Sequence, residues 1–154
     1  MKTNVNITQA MTVSTETVFS EKKEWWVSRS FAYYDDLRRI VSYLLPEKAK
    51  VLDVGCSTGW VLRSLQPQLL QGVGVDHERS MIETARELAQ GDQKLSYQIG
   101  DFETLQLNQK FDFVIMSEVI SDTYDVQNLL ENAKKHLEPE GRVFISVHNS
   151  YLKP

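Results

Sequence analysis

Apolar positions along this chain change their period from block to block, and the changes mark out elements. In FSEKKEWWVSRSFAYYDDLRRIVSYLLP, Leu37, Ile40, Val41, Leu44 and Leu45 recur at helical spacing, which predicts two helices or one bent helix ending at Pro46. KVLDVG is an apolar run of strand length. STGWVLRSLQPQL opens a helix that Pro67 limits, and GVGVD is a second strand. ERSMIETARELAQG predicts a helix with Met81, Ile82, Ala85, Leu88 and Ala89 on one face and Gly91 as its stop. LSYQIGD is a third strand, and FDFVIMSEVI begins as a fourth. DVQNLLENAKKHLEPEG predicts a helix with Val126, Leu129, Leu130, Ala133 and Leu137 inward, and RVFISVHNS a fifth strand.

Strands alternate with helices, and the strands are near-continuous apolar runs, as both faces of a covered sheet require. Right-handed crossovers then imply an α/β fold, a doubly wound and mostly parallel sheet with helices on both faces. Ligands of such sheets bind beyond the carboxyl ends of the strands. The residues that follow each strand are therefore the ones to weigh.

Composition narrows the class. The chain has 154 residues, 42% hydrophobic and 25% charged, which suits one soluble domain. Residues 1–15 are polar and read as a flexible tail, with residues 16–154 as the domain. A net charge of -4 without a dense Lys/Arg block disfavours nucleic acid and anionic membranes. No apolar run approaches membrane-spanning length, and the N-terminal stretch lacks the apolar core of a signal peptide. Cys56 is the only cysteine, which excludes an intrachain disulfide and Cys-rich metal sites and fits the cytoplasm. No two acids and a histidine show metal-ligand spacing.

The most informative stretch is VLDVGCSTGWVL. Gly55 and Gly59 follow a strand, as in loops that wrap nucleotides, yet Gly55-x-Ser57-x-Gly59 lacks the G-x-G-x-x-G of dinucleotide sites. Asp53 would repel a pyrophosphate. S-adenosylmethionine carries a sulfonium, an ammonium and a carboxylate but no phosphate, so glycine and carboxylate together suit its amino-acid tail, with Asp53 supporting the ammonium directly or through water. Asp76, 21 positions after Gly55, can accept hydrogen bonds from both ribose hydroxyls. The other reading makes Asp76 a solvated cap on the helix near Glu78, and the glycines mere turn residues.

VLDVGCSTGWVL resembles the first motif of class I S-adenosylmethionine-dependent methyltransferases. GVGVDHERSMIETAREL, IGDFETL, FDFVIMSEVI and HLEPEGRVFISV resemble the next four, in order, over roughly residues 30–148. The resemblance implies that Asp53, Gly55, Cys56 and Gly59 surround the methionine moiety and that Asp76 binds ribose. It implies His77 and Met81 beside the adenine, Asp101 accepting from the adenine amino group, Phe102 packed on the ring, and Ser117 and Glu118 at the methyl-transfer mouth. Ser57 replaces a frequent glycine and tightens the loop. For Met81 and Phe102 the competing reading is core packing, and Cys56 reads as a small filler rather than a nucleophile.

Methyl transfer needs alignment first, and a general base only where the acceptor arrives protonated. Glu118 and His148 are the candidate catalytic residues, ahead of Asp122 and Tyr124; His148 reads equally well as a surface histidine. His136, near a helix C-terminus, is expected to complement the dipole. Trp25, Trp26, Tyr33 and Tyr34 suggest either a lid or aromatics packed on the sheet. SEVI followed by DVQNLLENAKKHLEPEGR resembles bacterial proteins that join a methyltransferase to a glycosyltransferase. The expected acceptor is therefore a small molecule or glycan-like. Competing functions are a non-catalytic S-adenosylmethionine-binding module serving a partner domain or subunit and, disfavoured by Asp53, a nicotinamide-dependent oxidoreductase. Family members continue past strand five with a helix and a hairpin. The domain at residues 16–154 is therefore expected to lack that hairpin and to be C-terminally incomplete, with strand five an edge covered by a C-terminal domain or an oligomer.

Overall fold

β-Branched and aromatic side chains fill five parallel strands in the computed structural model, which describes residues 24–104 and 106–147. These are β1 (Ala49–Val54), β2 (Leu69–Asp76), β3 (Leu95–Ile99), β4 (Phe111–Ser117) and β5 (Leu137–Ser146). Their order is β3-β2-β1-β4-β5, and every pairing is parallel. The chain reverses its direction of winding between β1 and β4, so the switch point lies at the tip of β1. Of the described residues, those from Arg38 onward belong to one unit and those from Glu24 to Leu37 to another. The predicted tail at residues 1–15 lies outside the described residues.

Four α-helices are described: α1 (Glu24–Leu44), α2 (Trp60–Leu65), α3 (Arg79–Leu88) and α4 (Val126–Lys135). From Glu24 onward α1 is continuous. Its Val41 is buried, as is Leu45 just beyond its end, while Ile40 and Leu44 are exposed. Pro67 turns the end of α2 into a 3-10 turn at Gln66–Gln68. Asp125 caps α4, its Oδ1 accepting from Asn128 N–H at 3.0 Å.

One face of the sheet presents Leu52, Val54, Val73, Val75, Val114 and Met116 to Leu129 and Ala133 of α4, with Phe102 and Phe111 filling the same core. Burying each large apolar side chain of this cluster contributes roughly 1.5–3 kcal/mol.

Three expectations need correction. β5 begins at Leu137, not Arg142: Phe111 pairs with Leu137 and Phe113 with Arg142, so the extra residues around Pro139 form a bulge. Helix α4 is rotated from the predicted face, with Leu129, Asn132 and Ala133 buried and Val126 and Leu130 exposed; Leu88 on α3 is likewise exposed.

His136, expected to complement the helix dipole, is buried at the C-cap of α4. Its Nε2 must accept from Leu107 N–H at 2.9 Å, and its Nδ1 must donate to Asn132 C=O at 2.7 Å.

Among the described residues β5 is an edge of the sheet, with Val143 and Ile145 exposed on it and Val147 exposed just after it. Among the described residues no helix is long and apolar enough to cross a membrane.

Candidate functional site

The turn after β1 alternates into left-handed backbone at Gly55 (φ 71°), Ser57 (φ 48°) and Gly59 (φ 73°). Gly55 and Cys56 N–H both donate to Val75 C=O, at 2.8 and 3.1 Å, which ties the turn to the tip of β2. A Cβ on Gly55 would stand 2.3 Å from Val119 Cγ2, and one on Gly59 2.5 Å from the Tyr97 ring. Tyr97 is buried and donates its hydroxyl to Gly59 C=O at 3.3 Å. Its ring reaches the turn because Gly74 has no side chain: a Cβ there would lie 2.5 Å from Tyr97 Cδ1 and 2.7 Å from Cys56 Sγ. Cys56 is buried against these groups. Burial first, and then the charge of Asp53, push its thiol far above the ordinary range, as expected of an inert filler.

Carboxylates gather around this turn. Asp53 is 1% exposed, and its Oδ2 has no hydrogen-bond partner. Burial, and then the charge of Asp76, raise its pKa to about 8. Asp76 is half-buried. Its Oδ2 accepts from Ser57 N–H at 2.8 Å and its Oδ1 from Glu78 N–H at 2.9 Å, so it braces both the glycine turn and the start of α3. A carboxylate has about four acceptor positions, so each oxygen keeps one lone pair beyond those bonds. His77 sits beside it with an 83% exposed side chain, its Nδ1 3.9 Å from Asp76 Oδ1. Met81 Sδ accepts from Ser57 Oγ at 3.5 Å, which places Met81 against the turn. Asp101, exposed after β3, accepts Glu103 N–H on Oδ1 at 2.9 Å. Phe102 is buried in the core, its ring centroid 5.4 Å from that of His136.

At the tips of β4 and β5 a second polar cluster forms. Glu118 is left-handed (φ 60°) and donates its N–H to Ser146 C=O at 3.0 Å. Ser146 Oγ lies 3.1 Å from Glu118 Oε1 and 3.0 Å from Ser117 Oγ. Asp122 and Tyr124 are both exposed. His148 and the side chains of Trp25 and Trp26 lie outside the described residues, while Tyr33 and Tyr34 meet edge to face at 5.4 Å. Among the described residues no three His, Cys, Asp or Glu side chains are grouped to hold a metal ion.

Sequence reasoning missed Tyr97, Val119 and Ser146. The first two shape the glycine turn from 38 and 64 positions away; the only signal was the pair of glycines that had to be left empty for them.

Three comparisons fit this geometry. A family model described as a methyltransferase domain matches residues 28–153. A ubiquinone biosynthesis O-methyltransferase of Rickettsia canadensis is 30% identical over 131 residues, covering 84% of this chain and 52% of the relative. The chain thus spans about half the length of the curated relatives it matches. An S-adenosylmethionine-dependent methyltransferase from Mesorhizobium loti superposes with a TM-score of 0.63 at 27% identity, covering 71% of this chain and 52% of that one. The YcgJ protein of Bacillus subtilis shares the fold with a TM-score of 0.67 at 23% identity, covering 75% of this chain and 50% of that one. By fold, motif order and family match, the chain belongs to the class I S-adenosylmethionine-dependent methyltransferases.

Proposed function

We propose that this chain binds S-adenosylmethionine at the carboxyl ends of β1, β2 and β3 and supports methyl transfer to a hydroxyl of a small-molecule or glycan-like acceptor. The observation that carries the reading is the unpartnered, buried Oδ2 of Asp53 beneath a turn with three left-handed residues. A buried acceptor without a donor is costly alone and is satisfied by a ligand that brings one. Asp76 and Asp101 on adjacent strand tips favour a phosphate-free ligand and repel a diphosphate, which weighs against nicotinamide dinucleotides.

In this reading the 55–59 turn and Asp53 hold the methionine tail, with Gly55, Cys56 and Gly59 allowing close backbone approach. Asp76 takes the ribose hydroxyls on its remaining lone pairs, with His77 and Met81 at the base. Asp101 takes the adenine amino group, and Phe102 supports the base from the core. The cofactor supplies a methyl group on a sulfonium, a carbon already electrophilic. The chain's own task is then alignment. Ser117 and Ser146 orient the acceptor, and Glu118 receives its hydroxyl proton as the carbon–oxygen bond forms. The relatives' description as O-methyltransferases supports a hydroxyl acceptor. A lone buried thiol fits a cytoplasmic setting. The exposed apolar residues of β5 fit coverage by further chain or a partner.

Calorimetry with S-adenosylhomocysteine and with NAD tests the reading. Binding of the first and not the second is expected, and binding of NAD alone would overturn it.

A further inference from the structure

Helix α4 carries three polar side chains on one stripe, Asn128, Asn132 and His136, at i, i+4 and i+8. Asn132 and His136 are buried, an unusual placement for such residues in a helix that also exposes Val126 and Leu130. All three are spent on backbone groups of the turn that follows β3. Asn128 Nδ2 donates to Glu103 C=O at 3.0 Å. Asn132 Nδ2 donates to Phe102 C=O, and its Oδ1 accepts from Gln106 Nε2 at 3.2 Å. His136 Nε2 accepts from Leu107 N–H at 2.9 Å. Tyr124 N–H, just before the helix, donates to Glu103 Oε1 at 3.1 Å.

These bonds converge on Asp101 through one residue. Glu103 N–H donates to Asp101 Oδ1, while Glu103 C=O is held by Asn128. The Asp101 carboxylate is thereby referenced to α4 rather than left to a solvent-exposed turn. A helix stripe that only needed to pack would carry leucines, as the neighbouring apolar positions do.

We propose that Asn128, Asn132 and His136 are positioning residues for adenine recognition: they fix the turn after β3 so that the Asp101 carboxylate meets the amino group of the base. This rests on the functional reading above, in which Asp101 accepts from that amino group. It predicts that the choice of base, not merely the stability of the fold, depends on residues that touch no ligand.

Calorimetry with S-adenosylhomocysteine and S-inosylhomocysteine separates the two roles. The ligands share ribose and amino-acid tail and differ at the purine 6-position, where inosine presents a carbonyl to Asp101. The wild-type chain should prefer the adenosyl ligand by about tenfold or more, the size of one hydrogen bond to a charged group. Asn128→Ala, at a half-buried position, should reduce that ratio at least about threefold, and Asn132→Leu should bring it near one. General destabilisation weakens both ligands alike and leaves the ratio unchanged. A ratio that stays at the wild-type value in Asn128→Ala overturns the inference, whether or not Asn132→Leu folds. A wild-type chain that binds neither ligand overturns the functional reading itself.

Discussion

Asp53→Asn isolates the most unusual group in the site. Asp53 is fully buried, and its pKa stands at about 8 against an ordinary 3.8, because of burial first and the Asp76 charge second. Between those two values the folded chain holds a proton that the unfolded chain has released. Stability must therefore fall as pH rises through that window, by about 1.4 kcal/mol per pH unit from this group alone, and level off above the folded pKa. From pH 6 to pH 8 the loss is roughly 2–3 kcal/mol, a sizeable part of a domain's total stability. Asparagine cannot ionise, so the variant should lack this slope. Urea denaturation of both proteins at pH 6, 7, 8 and 9, at fixed ionic strength, measures it. The wild-type and variant stabilities should diverge as pH rises, with the variant increasingly ahead. Parallel curves would refute the claim that Asp53 is held protonated by burial. The same logic extends to binding. An ammonium beside Asp53 favours its ionised form, so S-adenosylhomocysteine binding near pH 7 should release protons, seen as a dependence of binding enthalpy on buffer ionisation enthalpy, and Asp53→Asn should lose that dependence.

Ser57→Gly should leave the fold intact and stabilise it by up to about 1 kcal/mol, since relief of left-handed strain at Ser57 outweighs glycine's added unfolded-state entropy; thermal unfolding reads this. Gly59→Ala should cost more than about 2 kcal/mol, because the new Cβ meets the buried Tyr97 ring and the backbone disfavours any side chain, and denaturant midpoints should show it. Tyr97→Phe should cost only about 1 kcal/mol, the hydroxyl bond to Gly59 C=O, with binding nearly unchanged. Asp76→Ala should weaken S-adenosylhomocysteine at least about a hundredfold, since it removes the ribose acceptor and the brace on Ser57 N–H together; retained affinity in calorimetry would remove the ribose assignment.

The sheet was legible because its strands are apolar on both faces, and the glycine turn because Gly55 and Gly59 stand at a strand end with an acid before them. Two kinds of information were not legible. Helical periodicity treats Val126 and Leu130 as core and Asn132 as surface, yet the hydrogen bonds of the turn after β3 rotate α4 the other way. The second partner of His136 was not legible either: Leu107 lies 29 positions away, and no local pattern records that pairing. The start of β5 was missed because Pro139 and Gly141 read as a turn, whereas the sheet absorbs them in a bulge. Phe102 had two readings in the sequence, and the core packing among them is visible in its contact with His136.

A crystal structure of the chain soaked with S-adenosylhomocysteine tests the central claim most directly. The account predicts the ribose hydroxyls on Asp76, the amino-acid tail against the turn from Gly55 to Gly59 with its ammonium supported by Asp53, and the adenine amino group on Asp101. Density for the ligand away from the tips of β1, β2 and β3 would contradict it.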